Sequence, residues 1–177
     1  MNLENKGLVL IFTGDGKGKT SSALGTALRA YGAGLSVSVL FFMKGSLFDH
    51  SDFKALDALK EIEVKHFGGD EWVLNTTDKT KHIEAAKQGL EYAKRIMSDN
   101  NKNVLILDEI ITCVNSGLLD ENDVIELTRS KPYNMHIVLT GRNASERLIE
   151  LADTVTEMKC IKHAYQNGIN AVKGIDY

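Results

Sequence analysis

Eight residues, Thr13 to Thr20, read TGDGKGKT and follow the apolar run LVLIF at 8–12. Glycines at 14, 16 and 18 let a backbone turn so that successive N–H groups converge on an anion. A helix opening near Lys19 would point the positive end of its dipole at the same place. In this P-loop pattern Lys19 is a surface charge aimed at a phosphate oxygen, and the Thr20 hydroxyl is placed to ligate magnesium. Gly14, Asp15, Gly16, Lys17, Gly18, Lys19, Thr20 and Ser21 form the candidate triphosphate set. Lys17 reads either as a phosphate contact or as a solvated charge. The loop departs from G-x-x-x-x-G-K-[ST] at one place, where Thr13 stands for the first glycine and Gly14 follows it.

A second chemical stretch is LILDE at 105–109, where Asp108 or Glu109 can bind the magnesium that accompanies a triphosphate. Arg142 follows LTG at 139–141 and either reaches an anionic ligand or serves as a charge at a helix entry. The one tryptophan, Trp72, lies in FGGDEWVLN and reads equally as a ligand contact or as an anchor pinning a loop. Cys160 and His163 make a C-x-x-H without two further ligands nearby, so a small buried thiol near a surface histidine is preferred over a metal site. Cys113 and Cys160 suggest neither a disulfide framework nor a zinc site.

These residues need a scaffold that brings them to one edge. The runs at 8–12, 37–43, 103–109 and 135–141 are nearly continuous in apolar residues, as in strands buried on both faces of a parallel sheet, and 62–67 and 153–159 are weaker strand candidates. Between them, Ala23, Leu24, Ala27, Leu28 and Tyr31 share one helical face, as do Ile83, Ala86, Leu90, Ala93 and Met97. Asp120 with Asp123, and Asn143 with Glu146, read as signals opening two shorter helices. Strands alternating with helices predict an α/β fold with a doubly wound, mainly parallel sheet of about six strands, over a single domain at 1–177. Pro132 falls in a connector, as such a sheet requires. The ligand crevice of an open parallel sheet lies at the carboxyl ends of its strands, where all four long runs carry polar or glycine-rich residues.

Composition bounds the partners. The 177 residues are 43% hydrophobic and 25% charged, with 21 basic and 24 acidic residues and a net charge of −3. No basic run can track a phosphate backbone, which argues against nucleic acid and leaves small molecules and proteins. No segment has the length of a membrane span or the pattern of a cleaved leader, so a cytoplasmic protein is expected.

The segments FTGDGKGKTSSALGTALRA, FMKG, LILDEI, LTGR, ELADTVTEMK and the ending KHAYQNGINAVKGIDY together resemble the CobA-type ATP:corrinoid adenosyltransferases, from about Gly7 to Tyr177. The ending GIDY after a KHA segment is the most specific of them. The resemblance implies transfer of the 5′-deoxyadenosyl group of ATP to the cobalt of a reduced corrinoid, cob(I)alamin or a precursor, with release of triphosphate. It also implies a homodimer and a flavoprotein electron donor. By this likeness the loop binds the triphosphate, with Lys19 and Glu109 as the catalytic pair. Thr20 and Glu109 help hold Mg2+, and Arg142 lies near the nucleotide. A cob(I) centre is already a strong nucleophile, so the protein must align C5′ with cobalt and neutralise the departing triphosphate rather than supply a base.

Two departures from the family pattern stand out. The chain starts a few residues before its first strand, where family members carry an extension that helps cover the site, so closure and affinity are expected to differ. In the loop whose aromatic residues displace the lower corrinoid ligand, Trp72 matches, but the position two before it, phenylalanine in the pattern, is Asp70. Phe67 is close enough to substitute. The runner-up is a P-loop kinase of a nucleoside or small metabolite, disfavoured because the five arginines form no lid segment. A non-enzymatic ATP-binding regulator is the third option.

Overall fold

The computed structural model describes residues 6–44, 51–68 and 78–177. Six strands, β1 (Val9–Thr13), β2 (Val37–Phe42), β3 (Ile62–Phe67), β4 (Val104–Asp108), β5 (His136–Thr140) and β6 (Thr154–Glu157), join one sheet in the order β3-β2-β4-β5-β1-β6. Every pairing is parallel. The helices are α1 (Lys19–Gly32), α2 (Ser51–Asp57), α3 (Thr80–Asp99), α4 (Ile110–Asn115), α5 (Glu121–Arg129) and α6 (Glu146–Leu151), and a 3-10 turn follows at Ala164–Asn167.

Alternation along the strands splits the core in two. Leu40, Phe42, Leu105, Leu107, Ile137 and Leu139 pack on one side with Ala86, Leu90 and Ala93 of α3 and Val124 and Leu127 of α5. Val37, Val39, Phe41, Ile106 and Val138 pack on the other with Ala23, Ala27 and Ala30 of α1 and Phe53 and Leu56 of α2. Each side chain of this size withdrawn from water contributes about 1.5–3 kcal/mol, so the central strands β2, β4 and β5 anchor the sheet.

The six strand expectations and the two long helices hold, with three differences. Leu28 is 58% exposed and Ala30 takes the inward place, because α1 lies close to the sheet along an alanine stripe flanked by Leu24 and Tyr31. The cap of α6 is Ser145, whose hydroxyl accepts from the Leu148 N–H at 3.2 Å; Asn143 stands two residues earlier in a left-handed turn at φ 52°. Asp120 does cap α5, accepting from the Asn122 N–H at 2.8 Å. The short helices α2 and α4 have too few turns to show a period in the sequence.

Candidate active site

Backbone strain is collected on one edge. Among the described non-glycine residues with positive φ, Met43 (60°) follows β2, Glu109 (65°) follows β4 and Asn143 (52°) follows β5, while Asn100 (46°) merely ends α3. Such conformations cost about 1–3 kcal/mol each and persist where packing dictates them. All three lie at the carboxyl ends of neighbouring strands.

The loop between β1 and α1 is held from outside. The Gly16 N–H donates to the Met158 carbonyl at 2.6 Å, and the Met158 N–H donates to the Thr13 carbonyl at 2.8 Å. A Cβ on Gly14, whose φ is +94°, would stand 2.5 Å from the Met158 carbonyl oxygen. Gly14 and Gly16 are therefore required by the segment after β6, against whose backbone a side chain at either would press. At the far end Gly18 (φ 115°) precedes α1 with no side-chain cap, so the first N–H groups of a 14-residue helix are left for a ligand.

Lys19 departs from expectation. It is 8% exposed rather than a surface charge, and its ammonium donates to the carbonyls of Gly14 (2.7 Å) and Gly16 (2.8 Å). Burial holds its pKa below the usual lysine value; nearby Glu109 opposes that shift and Arg142 adds to it. Lys17 turns outward, to the Ile175 carbonyl at 2.5 Å and to the Asp176 carboxylate.

Below the loop lies a buried polar chain. The Glu109 N–H donates to Thr140 Oγ1 at 2.8 Å, and the Thr140 hydroxyl donates to Asp108 Oδ1 at 2.8 Å. Asp108 and Thr140 are fully buried. Asp108 Oδ2 accepts from the Thr20 hydroxyl at 3.2 Å and from the Lys44 ammonium at 2.7 Å, and Lys44 also lies 3.3 Å from Thr20 Oγ1. A buried carboxylate needs such partners, since an unpaired one costs several kcal/mol. The Glu109 carboxylate accepts from the Thr112 hydroxyl at 2.5 Å.

A cavity of about 470 Å³ gathers these groups: Asp15 to Ser21, Lys44, Glu109 and Arg142 face one another, with His163, Tyr165, Asn170 and Asp176 of the C-terminal segment across the mouth. Asp108 sits behind Thr20, outside that lining, so of the two acidic residues at the end of β4 it is Glu109 that faces the cavity. Thr20 and Asp108 meet at the Lys44 ammonium, and with Glu109 on the same cavity they supply hard oxygen donors of the kind magnesium takes. No cluster of three or more His, Cys, Asp or Glu that could hold a metal ion is present among the described residues.

Phe67 does not reach this cavity. It packs on Phe42 and Tyr92, with centroids 6.1 and 5.7 Å apart, and borders a separate groove of about 680 Å³ along α3. Trp72 and Asp70 lie outside the described residues. His163 caps the 3-10 turn, its Nδ1 accepting from the Tyr165 N–H. Cys113 is buried, and its apolar surroundings push its thiol pKa up, while Cys160 is half-buried; both are free thiols.

The model of the ATP:corrinoid adenosyltransferase family BtuR/CobO/CobP matches residues 5–177. The chain belongs to that family. The corrinoid adenosyltransferase of a Sinorhizobium species is 34% identical over 183 residues, covering 98% of this chain and 82% of the relative. That of Pseudomonas aeruginosa is 34% identical over 174 residues, covering 98% and 85%. The Escherichia coli K12 relative is 33% identical over 175 residues, covering 98% and 87%. Among solved structures, a KaiC-like protein from Pyrococcus horikoshii superposes with a TM-score of 0.58 at 19% identity, over 87% of this chain and 73% of that one. ATPase domains of EssC from Geobacillus thermodenitrificans give 0.50 at 16% identity, over 98% and 37%. At such identities these two speak for the fold alone, which is the P-loop α/β type expected. No helix among the described residues of this adenosyltransferase family member is long and apolar enough to cross a membrane.

Proposed function

We propose that the chain binds ATP in the cavity between the P-loop and the C-terminal segment and transfers its 5′-deoxyadenosyl group to the cobalt of a reduced corrinoid. The bond formed is cobalt to C5′; the bond broken is C5′ to the triphosphate oxygen, which keeps the electron pair. The observation that carries this reading is the cavity in which the uncapped start of α1, Lys19, Glu109 and Arg142 face one another, in a chain of this family. The kinase alternative has no comparable support.

Each residue has a share. The loop amides other than that of Gly16, which donates to Met158, and Lys19 bind the triphosphate and neutralise the charge that grows as it departs. Arg142 adds a second cation at the rim. Thr20 and Glu109, with Asp108 behind them, would hold Mg2+, which when bound screens triphosphate charge. No side chain has to act as a base, because the cobalt nucleophile arrives reduced. Phe67 and Trp72 are proposed to touch the corrinoid.

A homodimer, a flavoprotein electron donor and a cytoplasmic site of action belong to the same reading. For the dimer, support comes from the apolar side chains left in water after β6: Ile161 (88% exposed), Tyr165 (73%) and Ile175 (71%). The test of the reaction is incubation with ATP, magnesium and chemically reduced cobalamin. Triphosphate and a light-sensitive cobalt–carbon product are expected; ADP would mean phosphoryl transfer and would overturn the proposal.

A further inference from the structure

We propose that Lys44 is the resident counter-ion of the metal position, displaced from Asp108 when the divalent cation enters and turned onto the triphosphate that comes with it. The inference rests on the magnesium reading above. Its ammonium lies 2.7 Å from Asp108 Oδ2 and 3.3 Å from Thr20 Oγ1. An octahedral magnesium ion binds its oxygens at about 2.0–2.1 Å, so ion and ammonium cannot share that gap.

The backbone fixes where this lysine starts. Register pairs Phe41 of β2 with Asp108 of β4, and Lys44 follows three residues later, past the left-handed turn at Met43. The Gly68 backbone presses on that turn: a Cβ at Gly68 would be 2.6 Å from the Lys44 carbonyl carbon. The side chain has more freedom. It is 20% exposed, crosses the Phe41 ring at 5.2 Å and borders the same cavity as Lys19 and Arg142. A flexible four-carbon stem with a compact charge can therefore swing from carboxylate to phosphate while its Cα stays in place. Without metal, the lysine keeps fully buried Asp108 neutralised.

The test measures metal binding without turnover. Free Mn2+ is followed by electron paramagnetic resonance as it is titrated into wild type and Lys44→Met, with no nucleotide. If the ammonium holds the position in roughly nine molecules of ten, its removal tightens Mn2+ binding about tenfold. Loss of a nearby positive charge alone would also tighten binding somewhat, so a second measurement is needed. Amine acetylation of wild type, read peptide by peptide by mass spectrometry, should rise several-fold at Lys44 on adding Mn2+ and stay constant at exposed Lys87. Both results are required where Lys44→Met folds, and unchanged affinity or unchanged Lys44 labelling overturns the inference. If the variant does not fold, the labelling decides alone. Should neither protein take up Mn2+, even with ATP present, the magnesium reading fails and this inference fails with it.

Discussion

Lys17 and Lys19 stand two residues apart in one loop, yet their surroundings differ in kind. Lys19 is almost enclosed and bonded to carbonyls of its own loop, whereas the Lys17 side chain is 43% exposed and paired with Asp176 of the C-terminal segment. The inner flank continues into Thr20, Asp108 and Thr140, tied to central strands. The outer flank continues into a segment whose residues from 164 to 177 are exposed. Bonds of the first kind hold geometry, because a partner lost there leaves a buried polar group unpaired. Contacts of the second kind are weak, because water competes for both partners. The pocket therefore has a rigid floor and a wall that opens at little cost.

Removing Lys19 should break the floor most severely. Lys19→Ala takes away the charge beside the triphosphate, and the rate of adenosyl transfer should drop by roughly 10²–10³, the loss typical of one preorganised electrostatic contact. It also frees the carbonyls of Gly14 and Gly16, so the melting temperature should fall by a few degrees while circular dichroism keeps the α/β signature. Wild type adds a pH signature. Because burial lowers the Lys19 pKa, the ammonium is lost at a lower alkaline pH than for an exposed lysine, and ATP affinity should decline as pH rises through that value. The variant should show no such decline. Near-normal turnover in Lys19→Ala would dissolve the distinction between floor and wall.

How much of this floor could be seen beforehand depends on the sequence distance of each contact. The P-loop, the acidic end of β4 and Arg142 carry local signatures, and contiguous apolar runs marked the strands because both faces of a parallel sheet are covered. Lys44 lies in the FMKG segment at the end of β2 but was given no role, and only the register of β2 against β4 brings it to Asp108, 64 residues away. Thr140 lies in the LTGR segment, but nothing local pairs its hydroxyl with Asp108. Met158, which dictates glycine at 14 and 16, acts through its backbone, which no residue type announces. Lys19 was misjudged for the same reason, since the carbonyls that enclose it belong to a turn whose curvature a motif does not describe.

A moderate effect is expected one layer beneath the loop. Thr140→Val keeps shape but removes the hydroxyl between the Glu109 N–H and Asp108 Oδ1, leaving a buried donor and a carboxylate oxygen each short of a partner. The cost is about 2–4 kcal/mol, enough to lower the melting temperature by roughly 5–10 °C in a chain of this size. Asp108 should then be less well fixed, and the magnesium concentration for half-maximal rate should rise. Thermal unfolding and a magnesium titration separate the two consequences. A stable variant with an altered titration would mean that the threonine serves the metal position and contributes little to the fold.

The smallest effect belongs to the wall. Asp176→Ala removes the partner of Lys17 and the Asp176 oxygen that accepts from the Val172 N–H at 2.8 Å, so the last turn of the chain should loosen. Both groups are in water, so the fold should be as stable as wild type within a degree or two. The Lys17 ammonium holds the Asp176 carboxyl below its usual pKa. The sign follows: a depressed carboxylate pKa gives stabilisation that is complete above the ordinary value of about 3.9 and is lost as pH falls through the lowered one. Between pH 6 and 8 the pair is therefore intact, and any consequence of the variant should be constant across that range. The expected consequence is kinetic. With the wall loosened, ATP should dissociate about two- to threefold faster with little change in association, as weakened contacts usually act through the off-rate. Stopped-flow release of a fluorescent ATP analogue measures it, with Lys17→Ala and the double variant completing a cycle. If the double variant is no worse than either single one, the pair acts as one latch. If Asp176→Ala instead matches the loss in Lys19→Ala, the wall is as structural as the floor, and the division between the two flanks is wrong.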